Sequence, residues 1–246
     1  MSHYVIGDVQ GCFDELQLLC KKIKFNPNFM NKKERALFVE TKLNELFPNP
    51  KAPLDHQNAF TFLIAVLLSA QTTDKRVNIV TKELFKAAKT PKEMLELGED
   101  RIYQYIKTCG LAPKKASAIL KTSKILEEKF QGKVPNDLES LEDLPGVGHK
   151  TASVVLSEYF NGPTFPVDTH IHRLAQRWGL TDGKSVKKTE EDLKKLFDEI
   201  NWRDLHLQII FYGRTFCTAR GCDGTICFMC KSLYPNRKNK IKTTKA

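Results

Sequence analysis

No stretch of the sequence is long and apolar enough for a bilayer span: the longest mostly apolar run, Phe60 to Ala70, covers eleven residues, against the ~18 or more that a helix needs to cross. A secretory signal is missing too, since Met1-Ser2-His3-Tyr4-Val5-Ile6-Gly7-Asp8 has neither a basic start nor the apolar run that marks one. These absences point to a cytoplasmic protein with no membrane partner. Acids are missing from the end of the chain, where Lys231, Arg237, Lys238, Lys240, Lys242 and Lys245 follow Cys230 unopposed. Lys plus Arg number 39 against 29 Asp plus Glu, and the formal charge of +10 favours polyanionic partners, nucleic acid foremost. An odd total of seven cysteines in a reducing compartment argues against a disulfide framework.

What is present is a chain of 246 residues, 41% hydrophobic, enough for one or two domains with a real core. Helical periodicity dominates from residue 33 onward. Leu193, Leu196, Phe197 and Ile200 fall at i, i+3, i+4 and i+7, and Ala116, Ile119, Leu120 and Phe130 share a similar face. The body is therefore expected to be all-α, with Asn136 as an N-cap three residues before Glu139, and Gly110, Gly132, Gly162 and Gly179 closing periodic runs. Residues 1–29 differ: Tyr4-Val5-Ile6 reads as a short strand, followed by a loop and a helix over Phe13 to Ile23. A lone strand has no pairing partner in such a chain, which predicts a poorly packed appendage.

The richest stretch is Leu144-Pro145-Gly146-Val147-Gly148-His149-Lys150-Thr151-Ala152, between two helical runs. Gly146 and Gly148 permit positive φ and close backbone approach, so the N–H groups of the turn and of the following helix can face an anion such as a DNA phosphate. Lys150 falls at the start of that helix, where the dipole disfavours an ammonium at a cost of a few tenths to about 1 kcal/mol and favours the free amine a nucleophile needs. The same cation can instead serve as a phosphate-binding point charge. Eighteen positions on, Phe165-Pro166-Val167-Asp168-Thr169-His170 sets Asp168 before another amphipathic run, where an N-cap role needs no chemistry. Near the end, Cys217-x4-Cys222-x4-Cys227-x2-Cys230 puts four thiols within fourteen residues, a pattern that suits iron-sulfur or zinc.

Together, L-P-G-V-G-x-K-T-A, the V-D-T-H at its spacing, and Leu67-Leu68-Ser69-Ala70-Gln71-Thr72-Thr73-Asp74 resemble the helix-hairpin-helix DNA glycosylases, specifically the endonuclease III family, over about residues 30 to 230. The resemblance implies two helical domains: a six-helix domain over 51–161 containing the hairpin, and a second domain combining 30–50 with 162–246, with the cysteine loop and the basic tail. It implies a monomeric, bifunctional glycosylase and AP lyase of base excision repair, acting on oxidised pyrimidines or abasic sites in double-stranded DNA within the cytoplasm, on the nucleoid. Lys150 would attack the sugar C1′ and form a Schiff base, and Asp168 would assist. Gln71 and Leu111 would fill the gap left by the extruded base, with Gly146, Gly148 and His149 on the backbone. Cys217, Cys222, Cys227 and Cys230 would hold a 4Fe-4S cluster, with zinc as the second choice because their spacing departs from the family's C-x6-C-x2-C-x5-C. Arg214, Arg220 and Lys231 would meet phosphates beside that loop, whereas His170 and His172 are expected to be capping or surface residues.

Two other readings stay open. A monofunctional adenine glycosylase of the same superfamily is disfavoured by Lys150 and by the short segment after Cys230. A non-catalytic zinc and hairpin module would bind DNA without a covalent intermediate. Residues 4–16 also resemble the start of symmetrical diadenosine tetraphosphatases, but the later G-D-x-x-x-R-G and G-N-H-D motifs are absent, so Asp8 cannot assemble a two-metal site. Met30 looks like the natural beginning of the glycosylase, with residues 1–29 a fused or misassigned extension.

Overall fold

The computed structural model describes residues 30–245; the strand, loop and helix expected over 1–29 lie outside them. The described residues contain helices and no strands, as the periodicity predicts. Helix α1 (Lys32–Leu46) starts at a capping box, in which Asn31 Oδ1 accepts the Glu34 N–H at 3.0 Å and Glu34 Oε2 accepts the Asn31 N–H at 2.8 Å. Helix α2 (Ala59–Ser69) opens on a similar box made by Asn58 and Thr61. Its nine residues from Phe60 to Leu68 are all buried. The longest apolar run is thus the axial helix of a core, surrounded by protein on every face.

Around α2 stand α3 (Asp74–Ala87), α4 (Pro91–Leu97), α5 (Glu99–Ile106), α6 (Ala112–Phe130), α7 (Leu138–Glu142) and α8 (His149–Phe160). Their apolar faces meet in one core, including Leu63, Leu68, Leu84, Met94, Ile102, Ile119 and Val155. Seven helical segments therefore lie between residues 51 and 161, one more than the six expected. A second core joins α1 to α9 (Thr169–Arg177), α10 (Val186–Leu196), α11 (Trp202–Thr215) and α12 (Phe228–Leu233), through Leu43, Phe165, Leu174, Trp178, Leu193, Ile209 and the four clustered cysteines. Two ion pairs tie α11 to the first group: Arg203 to Glu158 on α8 at 3.3 Å, and Arg214 to Asp74 on α3 at 2.6 Å. No helix of the described residues is long and apolar enough to cross a membrane.

Two local expectations shift. The N-cap of α7 is Asp137, whose Oδ1 accepts the Ser140 N–H at 2.8 Å, and not Asn136; in the helix that follows Leu141 is buried in the core. The face of Leu193, Leu196 and Phe197 does not extend to Ile200. Helix α10 ends at Leu196, Phe197 leaves it in an extended conformation and stacks on Phe165, and Ile200 stands in a 3-10 turn, 89% exposed.

Candidate active site and metal centre

The hairpin between α7 and α8 is held from below: Thr122 Oγ1 on α6 donates to Pro145 O at 3.0 Å, and the Val147 N–H donates to Leu144 O at 3.0 Å. Gly146 has φ +80°, and a Cβ there would stand 2.9 Å from the Ala118 Cβ, so both conformation and packing demand glycine. Gly148 departs from the expectation. Its φ is −94° and nothing of the protein lies within 4 Å of an added Cβ. Neither strain nor internal packing requires glycine there, and the space beside the start of α8 is open. Gly148 is the N-cap of α8 with no side chain to cap it, which leaves the first-turn N–H groups available to an anion.

His149 is less free than its position suggests. Its Nδ1 is 2.6 Å from Glu142 Oε1 and its Nε2 is 3.0 Å from Glu190 Oε2, linking α7, α8 and α10. Burial lowers its pKa, the hydrogen bonds to Glu190 and Glu142 raise it, and the balance is a raised value. Lys150, the second residue of α8, is exposed, and no hydrogen bond or ion pair occupies its amine. Asp168 caps α9: its Oδ1 accepts the N–H groups of His170 at 2.8 Å and Ile171 at 2.9 Å, while the other carboxylate oxygen takes no hydrogen bond.

Close to Asp168 stands a residue that the sequence did not single out. His206, buried on α11, has Nδ1 2.8 Å from Pro166 O, two residues before Asp168. Its pKa is pushed down to about 4, chiefly by burial; Asp168 opposes that shift and Lys150 adds to it. One buried ring thus feels the charges of both residues. Only its chain position inside an amphipathic helix was visible beforehand, and nothing there distinguishes it from a packing residue. His172 also differs from expectation: it is buried, with Nδ1 2.8 Å from Thr189 Oγ1 and Nε2 3.0 Å from Thr244 Oγ1. His170 is half-buried, its Nδ1 receiving the Arg173 guanidinium at 3.1 Å.

Gln71 and Leu111, far apart in sequence, lie on turns that meet at Gly110. Both are exposed, and both have left-handed backbones, with φ +55° and +60°. Gly110 makes the approach feasible, because a Cβ on it would meet Gln71 O at 2.8 Å. Non-glycine residues in this conformation cost about 1 kcal/mol or more each and concentrate at functional sites.

The four cysteines are all buried, and their sulfur atoms lie within 4.8 Å of one another. Two buried arginines of α9 converge on them. Arg177 Nη1 donates to Cys217 Sγ at 3.2 Å and to Thr218 O at 3.0 Å, and Arg173 Nη2 donates to Cys217 O at 3.1 Å and Gly213 O at 3.2 Å. Four thiols with buried cations beside them form a donor set suited to a metal held as thiolates. The helix that Asp168 caps is therefore bolted to the cysteine loop. Arg237, from the basic tail, is also structural: it stacks 3.6 Å from the Tyr234 ring centroid and donates to Arg177 O at 2.8 Å. Arg214 is paired with Asp74, while Arg220 and Lys231 are exposed.

Comparison with known proteins agrees with this architecture. The HhH-GPD superfamily base excision DNA repair protein profile matches residues 64–199. Endonuclease III of Escherichia coli (strain K12) is 48% identical over 191 residues, 78% of this chain and 90% of that enzyme. Endonuclease III of Rickettsia conorii is 45% identical over 193 residues, covering 77% and 92%. A solved trapped endonuclease III–DNA covalent intermediate superposes with a TM-score of 0.77 at 38% identity, covering 81% of this chain and 94% of that one. On fold, cysteine centre and these similarities, the chain belongs to the endonuclease III family of HhH-GPD base excision DNA repair proteins.

Proposed function

We infer that the protein is a bifunctional DNA glycosylase and AP lyase that removes oxidised pyrimidines from double-stranded DNA, working as a monomer on the nucleoid. The observations that carry this reading are the exposed Lys150 amine, unoccupied by any hydrogen bond or ion pair at the open start of α8, and the Asp168 carboxylate with one oxygen outside its helix cap. The Lys150 amine bonds to C1′ as the bond from C1′ to the base breaks, and it gives up its proton. Ring opening breaks the bond from C1′ to the ring oxygen, which takes a proton, and yields a protonated imine whose positive nitrogen acidifies the C2′ hydrogen; loss of that hydrogen as a proton expels the 3′ phosphate. A water nucleophile would stop at the abasic site, so the lysine predicts strand cleavage. Asp168, with one oxygen outside its cap, accepts the proton or stabilises the sugar cation. Gln71 and Leu111 fill the gap, whose opening costs a few kcal/mol of unstacking. The open N-terminus of α8 at Gly146, Gly148 and His149 takes a phosphate. The two hydrophobic cores support a division into 51–161 and 30–50 plus 162–246, with the cleft between them.

The family resemblance supports a 4Fe-4S cluster on Cys217, Cys222, Cys227 and Cys230. A specific observation favours zinc as the second reading: sulfurs within 4.8 Å of one another match a single tetrahedral ion, whose thiolates at about 2.3 Å stand roughly 4 Å apart. Visible absorbance with metal analysis separates them, since the iron cluster is coloured and zinc is not. In either form the metal crosslinks the second core and supplies no step of the reaction.

Borohydride trapping on duplex DNA carrying an oxidised pyrimidine or an abasic site tests the main reading. The wild-type protein is expected to give a covalent adduct that Lys150→Gln abolishes. DNA binding without adduct or strand cleavage would return the protein to the monofunctional or binding-only readings.

A further inference from the structure

Lys115 has no part in the chemistry above, yet it is a buried lysine, 6% exposed, in the first turn of α6. An ammonium is unfavourable there on two counts: burial removes its water, and the start of a helix repels positive charge. Burial accordingly pulls its pKa down, against the opposing influence of Cys109. Such a group is tolerated where all its donors are used. Lys115 Nζ donates to Leu68 O at 2.8 Å, Ala70 O at 2.5 Å and Thr72 Oγ1 at 3.2 Å. These oxygens belong to the last turn of α2 and the residues just past it, where helix carbonyls lack partners of their own. The lysine thus caps α2 from outside, immediately around Gln71. Thr72 Oγ1 also accepts the Gly110 N–H at 3.1 Å, which joins the turn carrying Gln71 to the loop carrying Leu111.

We propose that Lys115 is a positioning residue for base extrusion, its ammonium locking the turns of Gln71 and Leu111 into one rigid wedge. This rests on the reading of Gln71 and Leu111 as the gap-filling side chains. Both hold left-handed backbones that would relax in isolation, and a wedge must keep its shape while it enters a base stack. A lysine spanning three acceptors supplies that stiffness from below without touching DNA.

The test compares duplex and single-stranded substrates. Lys115→Met keeps the stem and removes every donor, and its thermal midpoint is read alongside. Three acceptors lose their donor, one of them buried and two part-buried, so excision of an oxidised pyrimidine from duplex DNA is expected to fall by about tenfold to a hundredfold. Trapping on a single-stranded abasic oligonucleotide, which has no stack to open, falls far less, and Lys115→Arg recovers part of the duplex rate. Gln71→Ala is expected to cost much less in the Lys115→Met background than in the wild type. A parallel loss on both substrates, or full additivity with Gln71→Ala, would overturn the proposal. Should Lys115→Met fail to fold, Thr72→Val, which removes the hydroxyl shared by Lys115 and Gly110, takes its place in the same comparisons. Should Gln71→Ala and Leu111→Ala leave duplex excision intact, the gap-filling reading fails by itself. Amide exchange at residues 70–73 and 110–112 then decides on Lys115: local acceleration in Lys115→Met upholds its hold on these turns, and unchanged exchange refutes it.

Discussion

Asp168 caps a helix, and substitution can separate that duty from the part in the reaction proposed for it. Asparagine is as good an N-cap as aspartate, whereas alanine forfeits about 1 kcal/mol. Asp168→Asn is therefore expected to leave the melting temperature nearly unchanged while reducing turnover at least tenfold with DNA affinity retained; Asp168→Ala should lose turnover and stability together. Equal losses of turnover and affinity in the Asn variant would remove Asp168 from the chemistry. Glu158 offers a second residue-scale test through pH. Its side chain is 2% exposed, Oε1 has no hydrogen-bond partner, and burial pushes its pKa from an ordinary 4.5 up to about 7 despite the Arg203 pair. Between those values the folded protein holds a proton that the unfolded chain has released, so stability falls as pH rises through that window and levels off above it. The contribution is about 3 kcal/mol in order of magnitude. Chemical denaturation from pH 4.5 to 8 should show this slope in the wild type relative to Glu158→Gln; parallel curves would contradict it.

At the scale of elements, the hairpin's two glycines answer to different demands. Gly146→Ala combines a positive φ with a 2.9 Å approach to Ala118 and is expected to destabilise the fold by about 2 kcal/mol. Gly148→Ala meets open space at an ordinary φ, so its cost should stay under about 1 kcal/mol, yet it should weaken DNA binding by crowding the N-terminus of α8. Denaturation curves and DNA titrations on the two variants check this inverse pattern; a Gly148 variant with unaltered affinity would mean that no phosphate approaches there. The sequence could announce two glycines but not their different duties, because φ and the distance to α6 are properties of the folded hairpin. The helical character, the hairpin and the cysteine centre were legible because periodicity and short spacings are local. Ile200 was misplaced because periodicity does not register where Phe197 breaks away to stack on Phe165. His206 and Lys115 were invisible for a related reason: each acquires its meaning from partners dozens of residues away, across α11 to Pro166 or α6 to α2.

At the scale of the whole molecule, a continuous chain of contacts links the cysteine centre to the helix that begins at Asp168. Cys217, Cys222, Cys227 and Cys230 belong to the second core, with Tyr212, Met229 and Leu233 packed around them. Arg173 and Arg177 run from that loop to α9, the helix that begins at Asp168. Loss of the metal leaves buried thiols in place of thiolates and two buried arginines without their counter-charge, a penalty that falls on the second core and not on residues 54–156. Metal-free protein is therefore expected to melt in two steps. The second core should unfold about 20 °C earlier, as a loss near 5 kcal/mol would produce in a unit of its size, while the first keeps its midpoint. Arg177→Gln should do the same in a milder form and release metal to a chelator faster than the wild type, because Cys217 loses its cation. Calorimetry combined with amide exchange distinguishes the two cores directly. A single cooperative transition, shifted as one in both preparations, would instead mean that the pairs Arg203–Glu158 and Arg214–Asp74 couple the cores too tightly for the metal to act on one alone.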